Sequence, residues 1–153
     1  MPIEAPISHY KKSNLKIYIA VCLALAAWCL YDVYFNKDFK EKYTDDDGNP
    51  ESWMVINQTA PPFLLGAAAF FGAYLYIENK KKLIADENEL IINGKKTIPY
   101  ESIQKIDKTY FDSKGFFIFT YKNESGREVP YKLDSRKYDN LSAVLDLLVA
   151  KIS

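Results

Sequence analysis

Apolar positions in this chain fall into two long unbroken runs, followed by a set of short alternating ones. Ala60 to Ile77 holds eighteen residues without a charge, APPFLLGAAAFFGAYLYI, and Lys80, Lys81 and Lys82 close the run. An apolar segment of about 18 or more residues can cross a hydrocarbon core roughly 30 Å thick as a helix. The run lacks the polar stripe of a helix packed on a water-soluble core, so a membrane-spanning helix is predicted over 60–78. The earlier run, LKIYIAVCLALAAWCLYDVYF over 15–35, is free of charge from Ile17 to Tyr31, with Lys16 and Asp32 near its ends. Tyr18 near one end and Trp28, Tyr31 and Tyr34 near the other match the aromatic belts of membrane boundaries. A cleaved signal would show a small-x-small site after its apolar core; aromatics and Asp32 follow here, which favours an uncleaved anchor.

The two runs read as a membrane hairpin. Residues 1–14, MPIEAPISHYKKSN, are polar with two prolines and read as a loose tail. Lysines flank the outer ends of the hairpin (Lys11, Lys12 and Lys16; Lys80 to Lys82), and cationic flanks stay on the cytoplasmic side. The connecting loop carries Lys37, Lys40 and Lys42, so the contrast is incomplete; the preferred orientation has both termini in the cytoplasm. That loop, 36–59, holds three lysines against six acids, or −3, and is expected outside the cytoplasm. Its TDDDGNPES stretch fails as a calcium loop. Placing Gly48 at the sixth position puts Tyr43 at the first and Met54 at the twelfth, where an EF-hand needs acids. A solvated Asp-Gly-Asn-Pro turn fits better. NQT at 57–59 and NES at 123–125 are formal glycosylation sequons; the first lies almost against the membrane, and neither would matter in a prokaryote.

After Lys82 the pattern changes to short strands separated by turns. LIAD (83–86) and ELIIN (89–93) form a hairpin around Glu87 and Asn88. KTIPY (96–100) and SIQKIDKTYF (102–111) read as strands, with Pro99 requiring an edge or a bulge. DSKG (112–115) turns the chain into GFFIFTYKN (115–123), whose aromatic and β-branched residues suit a pleated surface. NESG (123–126) leads to REVPYKLD, and Asp139 is placed to cap a helix carrying Leu141, Val144, Leu145, Leu148 and Ile152 on one face. The fold class expected is therefore a membrane α-helical hairpin plus an α+β soluble domain over 79–153.

ELIINGKKTIPYESIQKI (89–106), with Ile98, Pro99, Tyr100, Ile103 and Ile106, the aromatic strand 115–121 and the C-terminal helix together carry a resemblance. The chain resembles the bacterial pleckstrin-homology-like (PH-like) domains of small membrane proteins, in which two transmembrane helices precede the domain. The resemblance covers about half the chain. It implies a bent, partly closed antiparallel β-barrel or sheet capped by the C-terminal helix, and it implies no enzymatic activity.

Twenty basic and twenty acidic residues leave no net charge, which gives no electrostatic case for nucleic acid. From Asn79 onward 14 Lys/Arg stand against 11 Asp/Glu, or +3. Lys80, Lys81, Lys82, Lys95 and Lys96 are the groups expected to lie against anionic lipid without selecting a headgroup, at about 1 kcal/mol each near the surface. Cys22 and Cys29, seven apart, lie about 10 Å apart along a helix axis at 1.5 Å per residue, beyond disulfide reach; they read as small apolar packing residues. The one histidine, His9, lies in the tail, so no Cys/His metal set and no Ser/His/Asp nucleophile is predicted. Gly94, Gly115 and Gly126 stand singly in turns and form no phosphate loop. No cofactor is expected.

Small residues recur on the apolar runs: Ala20, Ala24 and Ala27 on one face of the first, Gly66, Ala69 and Ala73 on one face of the second, with Ala68 and Gly72 a further pair. Such residues let helix backbones approach closely in lipid. They serve either the hairpin's own contact or a neighbouring subunit. The leading expectation is a non-enzymatic accessory or scaffold subunit, bound to other membrane proteins or to itself, that presents its soluble domain to partners. The alternative is a module that senses lipid headgroups.

Overall fold

A computed structural model describes residues 1–152. Two compact units emerge: Met1–Lys12 together with Ile77–Ser153, and Ser13–Tyr76. The second unit is built by α1 (His9–Tyr34), α2 (Lys37–Lys42) and α3 (Ser52–Glu78). Both α1 and α3 are long and apolar enough to cross a membrane.

Each long helix buries a narrow seam. On α1 a row of buried and half-buried positions runs through Leu15, Ile19, Cys22, Ala26, Cys29 and Val33; on α3 one runs through Met54, Asn57, Pro61, Leu64, Ala68, Phe71 and Leu75. Alternating steps of three and four residues describe both rows, the spacing of two helices packed side by side. Tyr18 and Phe71 meet across the seam with ring centroids 5.5 Å apart. Asp32, also buried, accepts hydrogen bonds from Trp28 Nε1 at 2.8 Å and Asn36 Nδ2 at 2.9 Å, which satisfies a carboxylate that would otherwise be costly there.

The loop expected at 36–59 is shorter than its sequence suggests. Asn36 caps α2 by accepting from Phe39 N, and Thr44 pairs with Pro50 around the Asp45 turn. Helix α3 then begins at Ser52 and runs through Pro61 and Pro62. The expected start near residue 60 is therefore corrected by about two turns. Prolines mark helix starts, but these lie inside one and remove the donors that would reach the carbonyls of Asn57 and Gln58. Helix α3 is correspondingly longer than 60–78, and α1 starts six residues before Leu15.

Seven strands in two antiparallel sheets and one long helix make up the other unit. Strands β1 (Ile3–Pro6), β2 (Lys82–Ala85), β3 (Glu89–Ile92) and β4 (Lys96–Pro99) form one sheet in that order. After a 3-10 turn at Tyr100–Ser102, β5 (Ile103–Asp107), β6 (Phe116–Lys122) and β7 (Glu128–Asp134) form the other. Helix α5 (Leu141–Ile152) turns Leu141, Val144, Leu145 and Leu148 into the core shared by both sheets. Pro99 ends an edge strand, as its missing N–H requires.

Three expectations need correction here. Residues 1–14 are not a loose tail: Ile3–Pro6 pairs with β2, Ala5 and Ile7 are buried, and α1 begins at His9. The strand expected over 102–111 ends at Asp107, and Phe111–Lys114 forms a short helix, α4, closed by Gly115 at φ +76. A Cβ on Gly115 would also collide with Ser135 Oγ, so both conformation and space demand glycine. Asp139 caps a different helix from the one expected: its carboxylate accepts from His9 N at 3.1 Å, at the start of α1. Asn140 adopts φ +60 between Asp139 and α5.

Candidate functional site

Two sets of residues singled out in the sequence carry candidate interaction chemistry, and the fold treats them differently. The small residues come first. Ala20, Ala24 and Ala27 of α1 are exposed, as are Gly66, Ala69 and Ala73 of α3; Gly72 is half-buried. They lie off the seam, which takes Ala26 and Ala68 instead. A Cβ placed on Gly66 or Gly72 meets nothing within 4 Å. Within one protomer, then, no close approach requires glycine at either position.

The basic set is brought together by strand register. Asn93 and Gly94 turn β3 into β4 with φ +55 and +67, the paired left-handed conformation of a tight Asn-Gly hairpin. Asn93 N donates to Lys82 O at 2.8 Å, so Lys95 and Lys96 stand at the same end of the sheet as Lys80 to Lys82. This is the end where β1 runs into α1 and α3 runs into β2. Lys80, Lys95 and Lys96 are exposed, and Lys81 and Lys82 are half-buried. Lys82 pairs with Glu4 at 2.8 Å, and Lys81 and Lys11 both pair with the buried Glu78. Lys96 Nζ lies 4.9 Å from the Tyr121 ring centroid and 5.1 Å from that of Tyr131, a cation–π arrangement. Beside it opens a cleft of about 760 Å³ lined by Lys95, Lys96, Tyr121, Lys122 and Asn123, among others.

No family model, curated protein or solved structure matches this chain. Its possible roles therefore rest on its own geometry.

The far end of the same sheet is acidic. Asp86 and Glu87 lie in the β2–β3 turn with Glu89 at the start of β3, and Tyr100, buried beneath it, donates its hydroxyl to Asp86 O at 2.5 Å. Burial pushes the Tyr100 hydroxyl up to about 12, and the charges of Asp86 and Glu89 add to the shift. Tyr138 is raised by burial too, although its hydrogen bond to Asn93 works against the shift. A phenol whose pKa is higher folded than unfolded stabilises the fold fully below the unfolded value near 10. That stabilisation disappears as pH rises from about 10 through about 12. Melts followed by circular dichroism are thus expected to show the melting temperature falling across that window. Tyr100→Phe should remove part of the fall, and an identical pH profile in the variant would refute the assignment.

Sequence reasoning missed two groups at the basic end. Glu78, the last residue of the span predicted over 60–78 and given no role there, is 1% exposed. Ser8, fully buried, caps α1 by accepting from Lys11 N at 3.1 Å and donates its hydroxyl to Arg136 O. Serine is an ordinary cap residue, but no Glu or Gln follows three positions on and the apolar run starts only at Leu15, so nothing local marks Ser8 as the start of a helix. Among the described residues no group of three or more His, Cys, Asp or Glu is placed to hold a metal ion.

Proposed function

We propose that this chain is a two-pass integral membrane protein, without enzymatic activity, that works as an accessory or scaffold subunit. In this reading both termini and the soluble unit lie on the cytoplasmic face of a prokaryotic cell membrane, and the soluble unit is a PH-like module for protein interaction. The module reading draws support from seven strands divided four and three, with a C-terminal helix packed into their common core. The same-side reading draws support from β1 and β2, which flank the hairpin in sequence and pair with each other.

The observation that carries the scaffold role is the position of the small residues. The hairpin builds its seam from other side chains and leaves Ala20, Ala24, Ala27, Gly66, Ala69 and Ala73 facing outward. Surfaces of this kind allow a further helix to approach closely in lipid. Because side chains at Gly66 and Gly72 meet open space, leucine there leaves the protomer intact while blocking such a neighbour.

Gentle detergent extraction of tagged chain is expected to recover a larger assembly with other membrane subunits or further copies. Gly66→Leu with Ala69→Leu should reduce that recovery at least tenfold without lowering the melting temperature. A protein that runs alone and monomeric, under conditions that keep other membrane complexes whole, would overturn the proposal.

A second reading, headgroup sensing, is favoured by one observation: Lys95, Lys96 and Lys122 line the cleft at the basic end. Full chain in nanodiscs, with and without cardiolipin or phosphoinositide, separates the two. A melting temperature dependent on the headgroup, and not merely on anionic charge, would put sensing first.

A further inference from the structure

Strand β1 is separated from the sheet it completes by the whole hairpin. Glu4 and Lys82 pair at 2.8 Å across 78 positions of sequence, and α1, α2 and α3 all lie between them. Ala5 and Ile7, each no more than 1% exposed, enter the same core as α5. The segment after β7 closes over the N-terminal strand: Ser8 N donates to Lys137 O at 2.9 Å, Asp139 N to Pro6 O at 2.9 Å, and Asn140 Nδ2 to Glu4 O at 3.1 Å. Removing β1 would uncover Leu83 and Ala85, both fully buried, and leave β2 with an unpaired edge.

Paired strands stand about 4.8 Å apart, whereas a bilayer core is about 30 Å thick. An even number of crossings puts β1 and β2 on the same face; a single crossing puts them on opposite faces, where no register can form. We infer that the soluble unit is a split domain that cannot be completed while only one of the two helices spans lipid, so that its folding checks the topology of the hairpin. This rests on both helices spanning lipid, which carbonate extraction of the unaltered chain reads separately.

The test uses full-length chain synthesised in the presence of membrane vesicles, with Cys22→Ala and Cys29→Ala and a new pair, Glu4→Cys and Ile84→Cys, at directly opposed positions of β1 and β2. Mild oxidation should join the pair in most chains, and the soluble unit should resist protease. Replacing residues 60–76 by an equally long Gly-Ser stretch changes no core residue of the soluble unit but removes one crossing. Cross-linking should then fall at least tenfold and the unit should be digested. Ala5→Asp in the intact hairpin should leave the helices carbonate-resistant while opening the unit to protease. Three results would each overturn the inference: no cross-link in the intact hairpin, native-level cross-linking and protease resistance without the second span, or a protease-resistant Ala5→Asp unit.

Discussion

Phe117→Ala is expected to destabilise the two-sheet unit by about 3–5 kcal/mol, the usual cost of emptying a buried phenylalanine site. Phe117 lies on β6, the central strand of its sheet, fully buried and opposite Leu133. Its ring meets Phe111 edge-on with centroids 5.8 Å apart. Strands on both sides hold the backbone, so the site cannot collapse to fill the void, and the cost should fall in the upper part of that range. Domains of ordinary stability have only about 5–15 kcal/mol in total, which makes this one truncation enough to unfold a large share of molecules on warming.

The neighbouring residue supplies the control. Phe116 faces the opposite side of the strand, half-buried, with Lys132 Nζ 4.1 Å from its ring centroid. Phe116→Ala should cost about 1 kcal/mol, from a partly exposed ring and an exposed cation–π contact. Denaturant titrations followed by circular dichroism in detergent compare the two. Equal effects would mean that the inner and outer faces of β6 have been misassigned.

Strand β6 was legible in the sequence because aromatic and β-branched residues mark a strand locally, but which of Phe116 and Phe117 faces the core was not, since both alternating sets, Phe116 with Ile118 and Phe117 with Phe119, are apolar. The two long helices were legible in part for a similar reason, since an unbroken length of apolar side chains is visible in the sequence alone. The Asn93-Gly94 pair is likewise a local hairpin-turn signal. Strand β1 was not legible. Four residues with a proline among them carry little strand signal, and the partner that makes IEAP a strand lies 78 positions away. Nothing within a window of a few residues can report such a contact.

The misplaced caps have related causes. Asp139 precedes an amphipathic run and reads as its cap, yet Asn140 at φ +60 redirects the chain so that the carboxylate meets His9 N instead. The uncharged run begins at Ala60, which places the expected helix start there, when α3 in fact begins about two turns further back, at Ser52. Of the candidate surfaces, residue types were readable but exposure was not. The sequence placed small residues nearly all round the second helix. Only packing separated Ala68, in the seam, from Gly66, Ala69 and Ala73, outside it.

Lys11→Met combined with Lys81→Met is expected to cost about 3–5 kcal/mol, because it removes both cations from a carboxylate that is almost fully buried. Glu78 ends α3, and its side chain is 2% exposed. It accepts from Lys11 Nζ, in the first turns of α1, and from Lys81 Nζ, just before β2. The three residues thus tie the start of one long helix to the end of the other. The two ammoniums are less deeply placed, 24% and 33% exposed, so Glu78→Gln leaves cations that can still reach water. That variant should lose less, about 1–3 kcal/mol.

The asymmetry makes the set testable as a unit. Replacing all three, Glu78→Leu with both methionines, removes the buried charge along with its partners, and apolar replacement of a buried ionic set is often close to neutral. The triple variant is therefore expected to recover most of the stability lost in the lysine pair, a non-additivity that double-mutant cycles read directly. A triple variant as unstable as the lysine pair would show that Lys11 and Lys81 stabilise the fold through their alkyl stems, and that the buried charge of Glu78 does not set the cost.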